Sequence, residues 1–172
     1  MSARGFAARL ASLSARNPCA DDADFLAALY LSTRTDLDAL PVPRAVVEGI
    51  ARHQQALQRE AYAQACPQAE EWIVEDGAGP LGRLVLDRRP GELRVVDLSV
   101  APRARRRGHA RALLLALQAE AVEEGRALAL RVRADNAAAR SLYAGLGFQT
   151  LPGGGARLEL RWRPDADWIQ KE

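Results

Sequence analysis

Apolar residues fall at helical spacing in the first third of the chain and at strand spacing after residue 70. Asp21 or Asp22 stands as a helix cap ahead of Phe25, Leu26, Leu29 and Tyr30, which share one helical face. A second helix is predicted from the prolines at 41 and 43 to Pro67, with Val46, Ile50, His53, Leu57 and Ala61 on one stripe. Before both, Leu10 to Arg16 reads as a short strand and residues 1–9 as a loose arm. The period then changes. EEWIVED and LGRLVLDRR form a hairpin across GAGP, and a Pro90–Gly91 turn leads into ELRVVDLSV. A helix follows, with Leu113, Leu114, Leu117 and Ala121 on its apolar face, Arg111 and Glu123 outside it, and Gly125 as its stop. RALALRVRA is a strand, DNAAARSLYAGLG a helix capped by Asp135 or Asn136, FQTLP a strand, and ARLELRWRP the last strand after a triple-glycine turn.

This order predicts an α/β fold. Its sheet is mixed but mainly antiparallel, with roughly six to seven strands and about four flanking helices. Residues 10–163 are expected to form one domain, with 164–172 as a tail; 172 residues suffice for one core and are few for two.

Composition narrows the function. Net charge is only +2, so a protein working on nucleic acid, which would be basic throughout, is disfavoured. Nearly all the cations are arginine; Lys171 is the only lysine. Cys19 and Cys66 lie in no CxxC or Cys/His cluster, and His53 and His109 are far apart, so no metal site is expected. No long apolar run and no signal peptide is present, which sets the expectation of a cytoplasmic protein without membrane contact.

One stretch changes the picture. RARRRGHARALL, Arg103 to Leu114, lies where a strand gives way to a helix. The first turn of a helix has amides without partners and a dipole that favours negative charge, and glycine lets a phosphate approach the backbone. Strand, then RRRGHA, then helix is thus a diphosphate cradle. It is neither GxxxxGK[ST] nor GxGxxG, so nucleotide-hydrolase and dinucleotide readings lose ground.

The block from VVDLSV to GLGF resembles the GCN5-related N-acetyltransferase (GNAT) superfamily. Arg105, Gly108 and Ala110 match that family's [Q/R]xxGx[G/A] turn. Asn136, Ala139, Leu142, Tyr143, Gly147 and Phe148 match its second hallmark, N-x-x-A-x-x-[LI]-Y-x-x-x-G-F. The resemblance implies acetyl-coenzyme A as acyl donor, no metal, and a small-molecule or peptide amine as acceptor; dimers are common in the family. It implies that backbone amides from Arg105 to Ala110, through Arg106, Arg107, Gly108 and His109, hold the pyrophosphate. It further places Leu98, Ser99 and Val100 beside the pantetheine arm, with Asn136 and Ala139 near it. Tyr143, otherwise a core aromatic, would protonate the departing thiolate, whose free pKa is about 8.5.

The base that takes the amine's proton stays open. Asp97, Ser99, Glu159 and a water chain are candidates, while His53, on an apolar stripe, reads as a buried core histidine. Neither cysteine has a local base or helix dipole, so direct attack of the amine is favoured over an acyl-enzyme. The acceptor is expected near Tyr30, His53, Tyr62 and Trp162. Two other functions remain in view: a coenzyme-binding module without chemistry, and a nucleic-acid protein using the 103–111 arginines.

Overall fold

The structure is a computed structural model and describes residues 13–164. The expected N-terminal arm, the start of the first strand (10–12) and residues 165–172 of the tail lie outside the described residues.

The elements follow the predicted order. β1 (Ser14–Arg16), α1 (Ala23–Leu31), the one-turn α2 (Thr35–Asp38) and α3 (Arg44–Ala65) come first. β2 (Glu70–Asp76), β3 (Gly79–Arg89) and β4 (Glu92–Val100) follow, then α4 (His109–Glu123). β5 (Ala127–Arg133), α5 (Ala137–Ala144), β6 (Gln149–Thr150) and β7 (Arg157–Trp162) complete the fold. The sheet has seven strands in the order β1-β2-β3-β4-β5-β7-β6. β1 pairs antiparallel with β2, and β7 with both β5 and β6; β4 and β5 are parallel, joined through α4. The expected mixed, mainly antiparallel α/β sheet is present. The helix count rises from the expected four because α2 is barely one turn, too short to show a period.

The chain divides into two compact units. Residues 13–85 and 97–109 form one and residues 86–96 and 110–164 the other, so β3 and β4 each contribute to both.

In the first unit, Leu31, Leu37, Val47 and Ala51 form a buried cluster against which Tyr30 and Ile50 pack. This corrects the predicted face of α3. Val47, Ala51 and Gln55 are buried, whereas Val46 and Leu57 are about half exposed and His53 lies on the exposed side. The buried ridge is one residue, or about 100°, away from the predicted stripe, since small Ala51 lets the helix seat closely where His53 and Leu57 would not. The capping expectation also shifts. α1 starts directly after Asp22, but that carboxylate makes no cap bond; it accepts from Cys19 N–H (2.7 Å) and from both terminal nitrogens of Arg16 (2.7 Å). The Arg16 bonds hold Asp22 well below the usual carboxylate range against the opposing effect of burial.

In the second unit, Leu86, Leu93, Leu113, Leu114, Leu117, Leu128 and Leu130 are fully buried, each contributing about 1.5–3 kcal/mol by leaving water. α4 ends at Glu123 and Gly125 turns the chain at φ +62°, as the sequence indicates. Asn136, not Asp135, caps α5, accepting from Ala139 N–H at 3.1 Å; Asp135 pairs with Arg133 instead. The predicted strand over 148–152 contracts to Gln149–Thr150.

β3 and β4 approach tightly at Gly82, where a Cβ would stand 2.8 Å from the Ser99 carbonyl oxygen. Gly82→Val should lower stability by about 1–3 kcal/mol, read from the denaturant midpoint. Gly49→Ala, in α3 with nothing within 4 Å of the added carbon, should instead raise it by about 0.5–1 kcal/mol.

Candidate functional site

The chain leaves β4 through a short 3-10 turn, Pro102–Ala104, with Ala101 and Ala104 buried beneath it. Ala101 N–H donates to Leu81 O (2.8 Å) and Ala104 N–H to Ala101 O (2.8 Å). Beyond them the backbone reverses sharply. Arg106 has φ +62°, the only non-glycine residue at positive φ among the described residues, and Gly108 follows at φ +84°. A bulky residue at positive φ is strained, and such strain collects at functional sites. The amides of Arg106, Arg107 and Gly108 donate to no group among the described residues, and α4 opens at His109 with its own unpaired first-turn amides. The result is a concave row of donors at the positive end of a helix.

The arginines of the run divide their tasks. Arg105 Nε donates to Val100 O (2.9 Å), and a terminal nitrogen donates to Ser32 O (3.1 Å) and Oγ (2.9 Å) just past α1. Arg103 donates to Pro80 O at 2.6 Å. These two are engaged in fixing the turn. Arg106 and Arg107 are exposed and make no hydrogen bond or ion pair among the described residues, so their charge faces outward.

A second polar centre lies in the same unit. Asp97, Ser99, Arg83, Gln55, Gln58, Tyr30 and Thr33, with Leu26 and Leu29, enclose a cavity of about 30 Å³. Asp97 accepts from an Arg83 terminal nitrogen (3.2 Å) and, at 3.4 Å, from Ser99 Oγ. Burial pushes its carboxyl above the usual aspartate range despite the pull of Arg83 and the Ser99 bond. Gln55 and Arg83 also line a larger cavity of about 430 Å³ with Arg59, Glu60, Tyr62 and Glu71.

The remaining base candidates separate cleanly. His53 is exposed rather than the buried core histidine expected, because it lies off the buried ridge of α3. Glu159 is held by Arg94 and Arg131, each at 2.6 Å; burial would raise its carboxyl, but these bonds outweigh it and leave the group below the ordinary range. Tyr30 lines the Asp97 cavity and Tyr62 the larger one. Arg83, Gln55 and Glu71 do not stand out in the sequence. The one local signal is an arginine inside the apolar run LGRLVL.

In the second unit, Tyr143 is buried on α5, its ring edge-on to Phe148 with centroids 5.7 Å apart. Phe148 N–H and Leu146 N–H both donate to Tyr143 O, and Gln118 donates to Leu146 O at 2.8 Å. Gly147 stands at φ +82°, a backbone conformation that accounts for glycine there, and an added Cβ would meet the Trp162 indole only at ordinary contact distance, 3.4 Å. Ala139 is half-buried on α5, three residues after Asn136. The β4–β5 ladder ends at Val95–Leu130, before Leu98, Ser99 and Val100, all half-buried.

Cys19 is exposed and Cys66 buried, and neither forms a disulfide among the described residues. Among the described residues there is no group of three His, Cys, Asp or Glu side chains fit for a metal, and no helix long and apolar enough to cross a membrane.

Comparison with solved structures shows how widely this fold is shared. The PaiA N-acetyltransferase from Thermoplasma acidophilum, in complex with coenzyme A, superposes with a TM-score of 0.65 at 16% identity, covering 89% of this chain and 99% of that one. An acetyltransferase from Thermus thermophilus gives 0.64 at 19% identity, covering 91% and 99%. The ribosomal-protein-S18-alanine N-acetyltransferase from Escherichia coli gives 0.55 at 23% identity, covering 87% and 90%. No curated protein matches the chain. The family model described as acetyltransferase (GNAT) family matches residues 35–148, well over half of the chain, and the protein belongs to that family.

Proposed function

We propose that the protein is an acetyl-coenzyme A-dependent N-acetyltransferase that passes the acetyl group directly to a primary amine. The observation that carries this reading is the turn after β4: partnerless amides, two positive-φ residues and two outward guanidiniums at the head of α4. The residues fit the donor. Nothing lies within 4 Å of the position a Gly108 side chain would take, so a phosphate oxygen has room against the backbone. Amides from Arg105 through Ala110 hold the pyrophosphate, while Arg106 and Arg107 add field.

Leu98, Ser99 and Val100 present backbone groups to the pantetheine arm past the end of the β4–β5 ladder. Asn136 contributes its amide nitrogen, since its oxygen already caps α5; small Ala139 leaves space near it. Acetyl-coenzyme A supplies the activated thioester. The amine nitrogen attacks the carbonyl carbon, the carbon–sulfur bond breaks, and Tyr143 protonates the departing sulfur.

Asp97 takes the amine's proton. Of the candidate bases, it is the one whose environment moves proton affinity toward neutrality while facing a cavity wide enough for a water-sized group. Both cysteines are left outside the chemistry.

Gly108→Glu should weaken acetyl-coenzyme A binding at least about 100-fold by like-charge repulsion, with Gly108→Ala losing far less; calorimetry on the folded variants checks this. Binding by the wild type without transfer to any amine of a broad panel would mark a non-catalytic module. Tyr143→Phe should lower kcat about 100-fold with the coenzyme KM little changed, measured by thiol release. The wild-type kcat/KM should fall as pH drops through the Asp97 midpoint, above the usual aspartate value, because only the ionised form accepts the proton. Asp97→Asn should abolish that acid limb along with most of the rate.

A further inference from the structure

Arg83 is the only charged side chain on the stretch of β3 from Leu81 to Leu86, and it is 5% exposed. A buried guanidinium requires negative partners, and two carboxylates from the flanking strands supply them. Glu71 on β2 accepts from Arg83 Nε at 2.6 Å, while Asp97 on β4 accepts from a terminal nitrogen at 3.2 Å. Glu71 therefore holds the closer share of the cation. The same terminal nitrogen also reaches Gln58 Oε1 at 3.4 Å, and the guanidinium carbon lies 5.8 Å from the centre of the Tyr62 ring.

Around Asp97 and its partner Arg83 stand Tyr30 from α1, Gln55 and Gln58 from α3, Glu71 from β2 and Ser99 from the strand of Asp97 itself, while Tyr62 of α3 faces Arg83. Arg59 of α3 reaches the far oxygen of Glu71 at 3.0 Å from a more exposed position. Of these, only Arg83 and Glu71 bring full charge to the Asp97 carboxylate from buried or half-buried positions. They act in opposite senses.

We infer that Arg83 and Glu71 are an opposed pair of positioning residues for Asp97, the guanidinium favouring its ionised form and the competing carboxylate withholding part of that guanidinium. Together they set the pH at which Asp97 can accept the acceptor amine's proton. The kinetic consequence rests on the proposed role of Asp97 as base; the electrostatic arrangement does not. Burial and the nearby Glu71 charge raise the Asp97 carboxyl, while Arg83 and Ser99 lower it, in keeping with this geometry.

The test separates the two. Carbon-13 carboxyl NMR follows the titration of Asp97 in the free protein, with the signal assigned by its loss in Asp97→Asn. Arg83→Met should raise the Asp97 midpoint by about one to three units, Glu71→Gln should lower it, and Arg83→Lys should return it toward the wild type. Should Arg83→Met fail to fold by circular dichroism, Glu71→Gln and Arg83→Lys decide the matter. A midpoint that stays fixed, or moves the same way in Arg83→Met and Glu71→Gln, overturns the inference. In acetyl-transfer assays the acid limb of kcat/KM should shift with each midpoint. Opposed NMR shifts with an unmoved limb, or with no amine acetylated, support the pair and overturn the base role of Asp97.

Discussion

Arg105 fixes the turn between β4 and α4 by reaching back to the Val100 carbonyl and across to Ser32. That anchorage lets Arg106 stand at positive φ, a conformation costing about 1–2 kcal/mol for a side chain with a Cβ, and keeps the next amides turned away from protein partners. The family motif permits glutamine or arginine at position 105. Here arginine acts chiefly through carbonyl oxygens of its own chain, and the outward charge of the turn belongs to its two neighbours.

The second centre obeys a different constraint. Arg83 is buried between two half-buried carboxylates, Glu71 and Asp97, and Glu71 alone has a second cation in the more exposed Arg59. Burial raises the Asp97 carboxyl above the usual aspartate range, and Arg83, shared with Glu71, opposes that rise only in part. Ordinary surface pairs such as Arg44–Glu48 carry no comparable tension, since solvent screens them.

Much of this is legible in the sequence because it is local. A turn motif and a capped helix are written in adjacent residues, so the 105–110 turn, a cap of α5 at Asp135 or Asn136, and Tyr143 ahead of Gly147–Phe148 can be located by spacing; the structure chooses Asn136 as the cap. The face of α3 cannot. Its apolar residues allow two stripes one residue apart, and only packing against α1 and α2 chooses Val47 and Ala51 over Val46 and Leu57. The exposure of His53 is hidden for the same reason. Arg83 and Glu71 escape sequence reading because their meaning lies across strands: neither has a neighbour in sequence that reveals the other, and strand register is set by the whole sheet. Asp97 is among the candidates but gains its standing only from what surrounds it.

The two outward charges at this turn, Arg106 and Arg107, are guanidinium groups, and this has a chemical consequence. A guanidinium stays protonated and has no nucleophilic lone pair to offer, so Arg106 and Arg107 present a fixed positive charge rather than a reactive one. With Lys171 the only lysine in the sequence, nearly all of the positive side-chain charge is of this unreactive kind.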